Sequence, residues 1–128
     1  MIAVDTSALM AVALREPGFE ICVAALASET EVLISAGTLA EALIVAGRRR
    51  VGDEILTLVE TLGFTVVPVT ADAAHRVGRA YAAWGEGVHP AGLNFGDCFA
   101  YALAVEYACP LLFVGEDFAK TDVAVATR

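Results

Sequence analysis

The sequence is short of the residues that would commit it to cross-links, to a membrane or to a cationic surface. It has three cysteines, Cys22, Cys98 and Cys109, odd in number, widely spaced and set in apolar runs. That pattern excludes a disulfide framework and a paired-cysteine zinc site, and reads as buried reduced thiols. The two histidines, His75 and His89, lack a metal-binding spacing such as HxxxH and read as a helix-surface and a loop residue. Long charge-free runs are missing as well. The longest, from residue 61 to 71, has 11 residues and contains Gly63 and Pro68, against the roughly 20 that a spanning helix requires. A mean hydropathy of +0.68 is therefore assigned to a large core. Met1 leads into Ile-Ala-Val and Asp5 with no basic region, so no secretory signal is expected and the location is read as cytoplasmic. Positive charge is scarce: eight Lys and Arg stand against sixteen Asp and Glu, a net charge of -8. Nonspecific attraction to a phosphate backbone is disfavoured, save where cations cluster.

What is present is an alternation of short β-rich runs with longer helical patterns. It predicts an α/β fold, three layers α/β/α around a central, mostly parallel sheet of four or five strands, as one domain over residues 1–128. Strands are expected at 1–4, 32–35, 64–67 and 111–114, with a fifth candidate at 123–126. The first four are apolar enough to be covered on both faces. Helices are expected near 7–14, 18–28, 39–49, 52–62, 71–85 and 95–107. Tyr81 and Trp84, three apart in the fifth of these, read as packing residues.

The acids carry the chemistry. Asp97 is the one charge between Glu86 and Glu106, at the mouth of the apolar helix in LNFGDCFAYALA. Asp5 falls just past the first strand and Asp117 just past the fourth, and Glu41 and Asp97 are read into the first turns of their helices. Each has a local explanation: Asp5 as an N-cap, Glu41 completing a capping box with Thr38, Asp97 another with Asn94, and Asp117 and Asp122 as turn residues. Taken jointly they map to one edge of the sheet, where open parallel sheets bind ligands. Carboxylates gathered there repel one another, a cost that persists only if a cation is held. A hard divalent ion with a preference for oxygen, Mg²⁺ or Mn²⁺, fits such a set and supports phosphodiester hydrolysis by activating water and offsetting charge.

MIAVDTSAL at the start, the AEAL helix with Glu41, LNFGDCFAYALA, and LLFVGEDFAKTDV near the end together resemble the PIN domain, in particular the VapC toxins of bacterial toxin-antitoxin pairs. The resemblance runs over essentially the whole chain. It implies a Mg²⁺- or Mn²⁺-dependent endoribonuclease whose acidic quartet is Asp5, Glu41, Asp97 and Asp117, with Asp122 as an outer member. Thr6 and Ser7 would orient Asp5 or a water on the ion. Glu116 departs from the pattern, since the family more often has Asn or Asp before the final acid. A cognate VapB-type antitoxin placing a basic group among the acids, an RNA substrate and a homodimer are implied as partners.

Arg48, Arg49 and Arg50 end the helix of Glu41, about 10 to 14 Å along its axis, and with Lys120 are candidates for contact with RNA phosphates. The alternative for the arginines is favourable pairing with a helix C-terminus. Two rival functions stand beside the nuclease. A receiver-like signalling domain would need paired acids after the first strand and an acceptor Asp ending a middle strand, and neither is present. A catalytically silent PIN-like module that binds RNA or protein shares every motif and is separated only by assay.

Overall fold

A computed structural model describes residues 1–127 of the chain. Four parallel strands form the centre: β1 (Ile2–Val4), β2 (Val32–Ser35), β3 (Thr65–Val67) and β4 (Leu111–Leu112), in the spatial order β3-β2-β1-β4. Ile2 and Ala3 pair with Val32 and Leu33, and Ala3 and Val4 with Leu111 and Leu112. Among the described residues six helices cover the sheet: α1 (Thr6–Leu14), α2 (Phe19–Ser28), α3 (Ala36–Arg48), α4 (Gly52–Thr61), α5 (Ala71–Trp84) and α6 (Phe95–Glu106). One apolar core gathers Ile2, Val4 and Ile34 with Leu9, Leu26, Ala42 and Ile55 from α1 to α4. The other gathers Ala3, Leu33 and Leu111 with Leu93, Ala100 and Leu103 on the side of α5 and α6. Alternate residues of β1 and β2 thus feed opposite layers, which is why these strands read as unbroken apolar runs. The three-layer α/β/α architecture is the one expected. Ile34, fully buried in β2, tests it simply: Ile34→Ala should cost about 2–5 kcal/mol in urea unfolding.

Three local expectations change. The fourth strand shortens to Leu111–Leu112, and the candidate fifth at 123–126 is a single parallel bridge between Leu111 and Val125, so the sheet has four strands. β3 is not covered on both faces: Thr65 and Val66 are exposed, whereas β4, at the other end of the sheet, is buried and bridged on its outer side by Val125. The third helix starts earlier than residue 39. Ser35, at the end of β2, caps it by accepting from the Gly37 amide at 3.2 Å. Thr38 is therefore inside the helix and wholly buried, no capping box forms with Glu41, and Glu41 lies in the second turn.

The site sits where strand order reverses. From β1 the chain builds outward through β2 and β3, then returns to lay β4 on the other side of β1. In open α/β sheets this reversal opens a crevice at the carboxyl ends of the strands. Asp5 leaves β1 at that crevice, α3 starts at the same edge, and the segment carrying Asp117 leaves β4 there. At Gly115 (φ 111°) the backbone takes a conformation that side chains resist, turning the chain into the single 3₁₀ turn Phe118–Lys120. The three cysteines are free and buried, and burial pushes the Cys98 thiol up to about 11. Among the described residues no helix is long and apolar enough to cross a membrane.

Candidate active site

Asp5 is the anchor. It caps α1, with Oδ2 accepting from the Ser7 amide at 3.0 Å and the Ser7 hydroxyl at 2.7 Å. The same Ser7 Oγ accepts from the Val114 amide at 3.0 Å, tying the chain beyond β4 to the end of β1. The other carboxylate oxygen, Oδ1, is buried without a partner, and Asp5 as a whole is only 3% exposed. A buried anionic oxygen left unpaired is costly and calls for a ligand. Burial is also the main reason that the Asp5 carboxyl titrates above the ordinary range, with Glu41 adding to it and the Ser7 bonds opposing.

Glu41 is aimed by Thr6, whose hydroxyl donates to Oε1 at 2.7 Å. The DTS motif thus divides its labour: Ser7 orients Asp5, and Thr6 reaches across 35 positions to hold Glu41. The Glu41 carboxylate lies against Gly96, where a Cβ would collide with it, so the glycine is what lets α3 and α6 approach. Gly96 is a site residue that motif reasoning about acids passes over, although the Gly-Asp pair at the start of α6 was its signal. Gly37 likewise admits the ring of Phe99.

Asp97 occupies the third position of α6 and completes a capping box with Asn94. Its Oδ2 accepts from the Asn94 amide at 3.0 Å, and Asn94 Oδ1 accepts from the Asp97 amide at 2.9 Å. The local reading and the functional one are therefore both true of the same side chain. Its carboxyl is pushed up to about 6, chiefly by burial, with Asp5, Glu41 and Asp117 each raising it and the Asn94 bond lowering it. Three elements thus bring their acids within electrostatic range of a fourth. Asp117 is exposed, precedes the 3₁₀ turn and makes no capping bond. Among the described residues no three His, Cys, Asp or Glu side chains close tightly enough on one point to cage an ion as they stand. The carboxylate donors are all oxygens, a set suited to a hard divalent cation; among the described residues the buried side-chain oxygens without a partner are Asp5 Oδ1 and Thr38 Oγ1, and of these Asp5 Oδ1 belongs to an acid.

The remaining candidates make other contacts or none. Asp122 Oδ1 accepts from the Tyr101 hydroxyl at 2.6 Å, and that hydroxyl accepts from Trp84 Nε1 at 2.9 Å. Trp84 is partly buried as expected, whereas Tyr81 is exposed. His89 packs edge-on to the Trp84 ring and accepts from the Ala91 amide, and His75 is exposed on α5. Arg48, Arg49 and Arg50 are exposed at the far end of α3, and Lys120 closes the 3₁₀ turn after Asp117.

The raised Asp97 carboxyl gives a signed pH dependence. Its folded form holds a proton to higher pH than the unfolded chain does, so its cost to folding is absent below about pH 4 and fully present above about pH 6. Asp5 acts in the same direction. Discounted for partial exposure, Asp97 should lower metal-free stability by about 1–2 kcal/mol between pH 4.5 and 7. Urea midpoints across that range should fall as pH rises, and less steeply in Asp97→Asn.

The sequence profile of the PIN domain matches residues 2–124 of the chain. Ribonuclease VapC of Mycolicibacterium smegmatis is 40% identical, covering 96% of this chain and 98% of that one. Ribonuclease VapC30 of Mycobacterium tuberculosis is also 40% identical, over 96% of both chains. Among solved structures, the sarcin-ricin loop cleaving toxin VapC20 of Mycobacterium tuberculosis superposes with a TM-score of 0.79 over 97% of each chain at 20% identity. A toxin-antitoxin complex from Klebsiella pneumoniae superposes at 0.75 over 100% of this chain and 98% of that one, again at 20% identity. Acids at the carboxyl edge of a four-stranded parallel sheet, on a chain matched over nearly its full length, place it in the PIN domain family, among the VapC ribonucleases.

Proposed function

We propose that the chain is a divalent-metal-dependent endoribonuclease, the toxin of a type II toxin-antitoxin pair, which cleaves RNA in the cytoplasm and so inhibits translation. The observation that carries the reading is the unpaired buried Oδ1 of Asp5, together with a second acid, Asp97, whose titration is raised by burial and further by Asp5, Glu41 and Asp117. The near-full-length likeness to VapC ribonucleases supports it. Asp5 and Asp97 are the direct ligands of Mg²⁺ or Mn²⁺ in this account, with Glu41 and Asp117 completing the set. When bound, the ion lowers the pKa of a water and offsets the charge that builds on the phosphate.

The protein's own part is to aim and hold. Ser7 fixes Asp5 by two bonds to one oxygen, which leaves the other free to face the ion. Thr6 holds one oxygen of Glu41, so this carboxylate is oriented to accept a proton from the attacking water or to position it. Asp97 is fixed by its helix cap, which makes its geometry a property of the backbone. Arg48 to Arg50, at the far end of α3, and Lys120 would supply cations for neighbouring RNA phosphates, on a chain whose net charge is -8. Such contacts should make RNA affinity fall with added salt.

A nuclease of this kind needs restraint, and a VapB-type antitoxin with a basic group entering the acids supplies it. Apolar surface is available for that partner and for a second copy of the chain. Phe95 and Ile44, 71% and 61% exposed, flank a groove of about 370 Å³ that runs up to Glu41. A second groove, about 470 Å³, lies between α1 and α4 along Val12, Leu58 and Leu62. The test is cleavage of single-stranded RNA by the purified chain with Mn²⁺, abolished by a chelator and restored by added ion. Cleavage indifferent to chelation would overturn the reading.

A further inference from the structure

Asp117 is the least supported of the four acids. It is exposed, makes no capping bond, and stands between Gly115, whose φ is 111°, and a single 3₁₀ turn. Three contacts flank it. Upstream, the Val114 amide donates to Ser7 Oγ at 3.0 Å. Next along the chain, Phe118 is buried against Phe113. Downstream, Asp122 accepts from Tyr101 at 2.6 Å. Tyr101 is four residues after Asp97, one turn further along the same helix. The hydroxyl contact thus closes a short circuit, running from Asp97 down one turn of α6, across to Asp122, and back five residues to Asp117.

The polarity of the contact is fixed by its third member. An indole N–H can only donate, and Trp84 Nε1 donates to Tyr101 Oη at 2.9 Å. The Tyr101 proton is thereby left to point at Asp122, giving a one-way chain from indole to phenol to carboxylate. Tyr101 is only 8% exposed, so its hydroxyl has few alternatives in solvent. One carboxylate oxygen of Asp122, Oδ1, is engaged by this bond.

Resting on the acidic-site reading above, we propose that Trp84, Tyr101 and Asp122 form a positioning strap that sets where Asp117 stands relative to Asp97, with Asp122 acting through its bond to Tyr101 and not as a metal ligand. Supporting groups of this type carry a large share of metal affinity in other proteins. Asp122 separates the two roles, because an Asn there keeps an oxygen to accept from Tyr101 but loses the charge that a ligand would need.

The experiment is Mn²⁺ binding by calorimetry on the full chain, without RNA, alongside melting temperature. Tyr101→Phe and Asp122→Ala should each weaken Mn²⁺ by about tenfold, whereas Asp122→Asn should stay within about twofold of the unsubstituted chain. In an Asp117→Asn background the effect of Tyr101→Phe should disappear. Asp122→Asn as damaging as Asp122→Ala would make Asp122 a ligand and overturn the strap. Tyr101→Phe that lowers the melting temperature with Mn²⁺ affinity unchanged, or that weakens Mn²⁺ equally in the Asp117→Asn background, would overturn it too. Because Asp122 is exposed, its variants keep the test open if Tyr101→Phe fails to fold. Failure of the acidic-site reading itself is told apart by the unsubstituted chain, which would then bind no Mn²⁺.

Discussion

Asp97→Asn should reduce metal-dependent RNA cleavage by at least about a hundredfold while raising the melting temperature of the metal-free chain at pH 7. The two effects have one cause seen from two sides. A carboxyl pushed up to about 6 by burial and by three other acids is charged at pH 7 at a cost to the fold, and that charge is what a divalent ion would recover as binding energy. Asn removes the charge with almost no change in shape. Its amide oxygen still accepts from the Asn94 amide, so the start of α6 keeps its cap. Relief of about 1–2 kcal/mol corresponds to a rise of about 3–8 °C in a domain of this size. Loss of the ion's contribution, at several kcal/mol, gives the activity loss. Cleavage assays with Mn²⁺ and thermal melts in chelator measure both. An inactive variant with a lowered melting temperature would mean that Asp97 is principally a structural cap.

The second large effect is expected at Gly96. Glycine to alanine inside a helix ordinarily stabilises by about 0.5–1 kcal/mol, since the backbone has less freedom to lose. Here the added methyl would occupy the space of the Glu41 carboxylate. That carboxylate ends a flexible side chain and can swing aside, so the fold should survive with its melting temperature within about 3 °C of the parent. Function should not survive equally. Displacing the carboxylate breaks the Thr6 bond and removes Glu41 from the neighbourhood of Asp97, and cleavage and Mn²⁺ affinity should each fall about tenfold to a hundredfold. The assignment to Glu41 is checked by a double-mutant cycle: Gly96→Ala added to Glu41→Ala should cost almost nothing more. Additive losses would place the effect of the methyl elsewhere.

How far the site was legible in the sequence differs residue by residue. Asp5 and Asp97 are visible because strand-end and helix-start positions are local properties, and both caps form as their spacing suggests. Glu41 has the right residue type with the wrong local reason. Thr38 and Glu41 look like a capping box, but Ser35 caps the helix three residues earlier and frees Glu41 for Thr6. A capping pattern cannot report which of two hydroxyls three residues apart the end of a strand will put in place. Tyr101 and Asp122 meet only through tertiary packing of α6 against the chain after β4, so neither partner could be named from its own neighbourhood. The fold itself was largely legible from the unbroken apolar runs of β1 and β2. β3 was the exception: both ends of the sheet are apolar in sequence, but the later segment at Val125 returns beside β4 and none among the described residues returns beside β3, whose Thr65 and Val66 stay in solvent. That return is a tertiary event no local run reports.

The most direct measurement is a crystal structure of the chain grown with Mn²⁺, with the ion located by its anomalous signal. The account predicts manganese at the carboxyl edge of β1, with Asp5 Oδ1 and an Asp97 oxygen as ligands about 2.1–2.3 Å away and Glu41 and Asp117 directed at the same ion or its waters. Manganese bound elsewhere, or a chain that stays metal-free at millimolar Mn²⁺ with Asp5 Oδ1 still buried and unpaired, would contradict it.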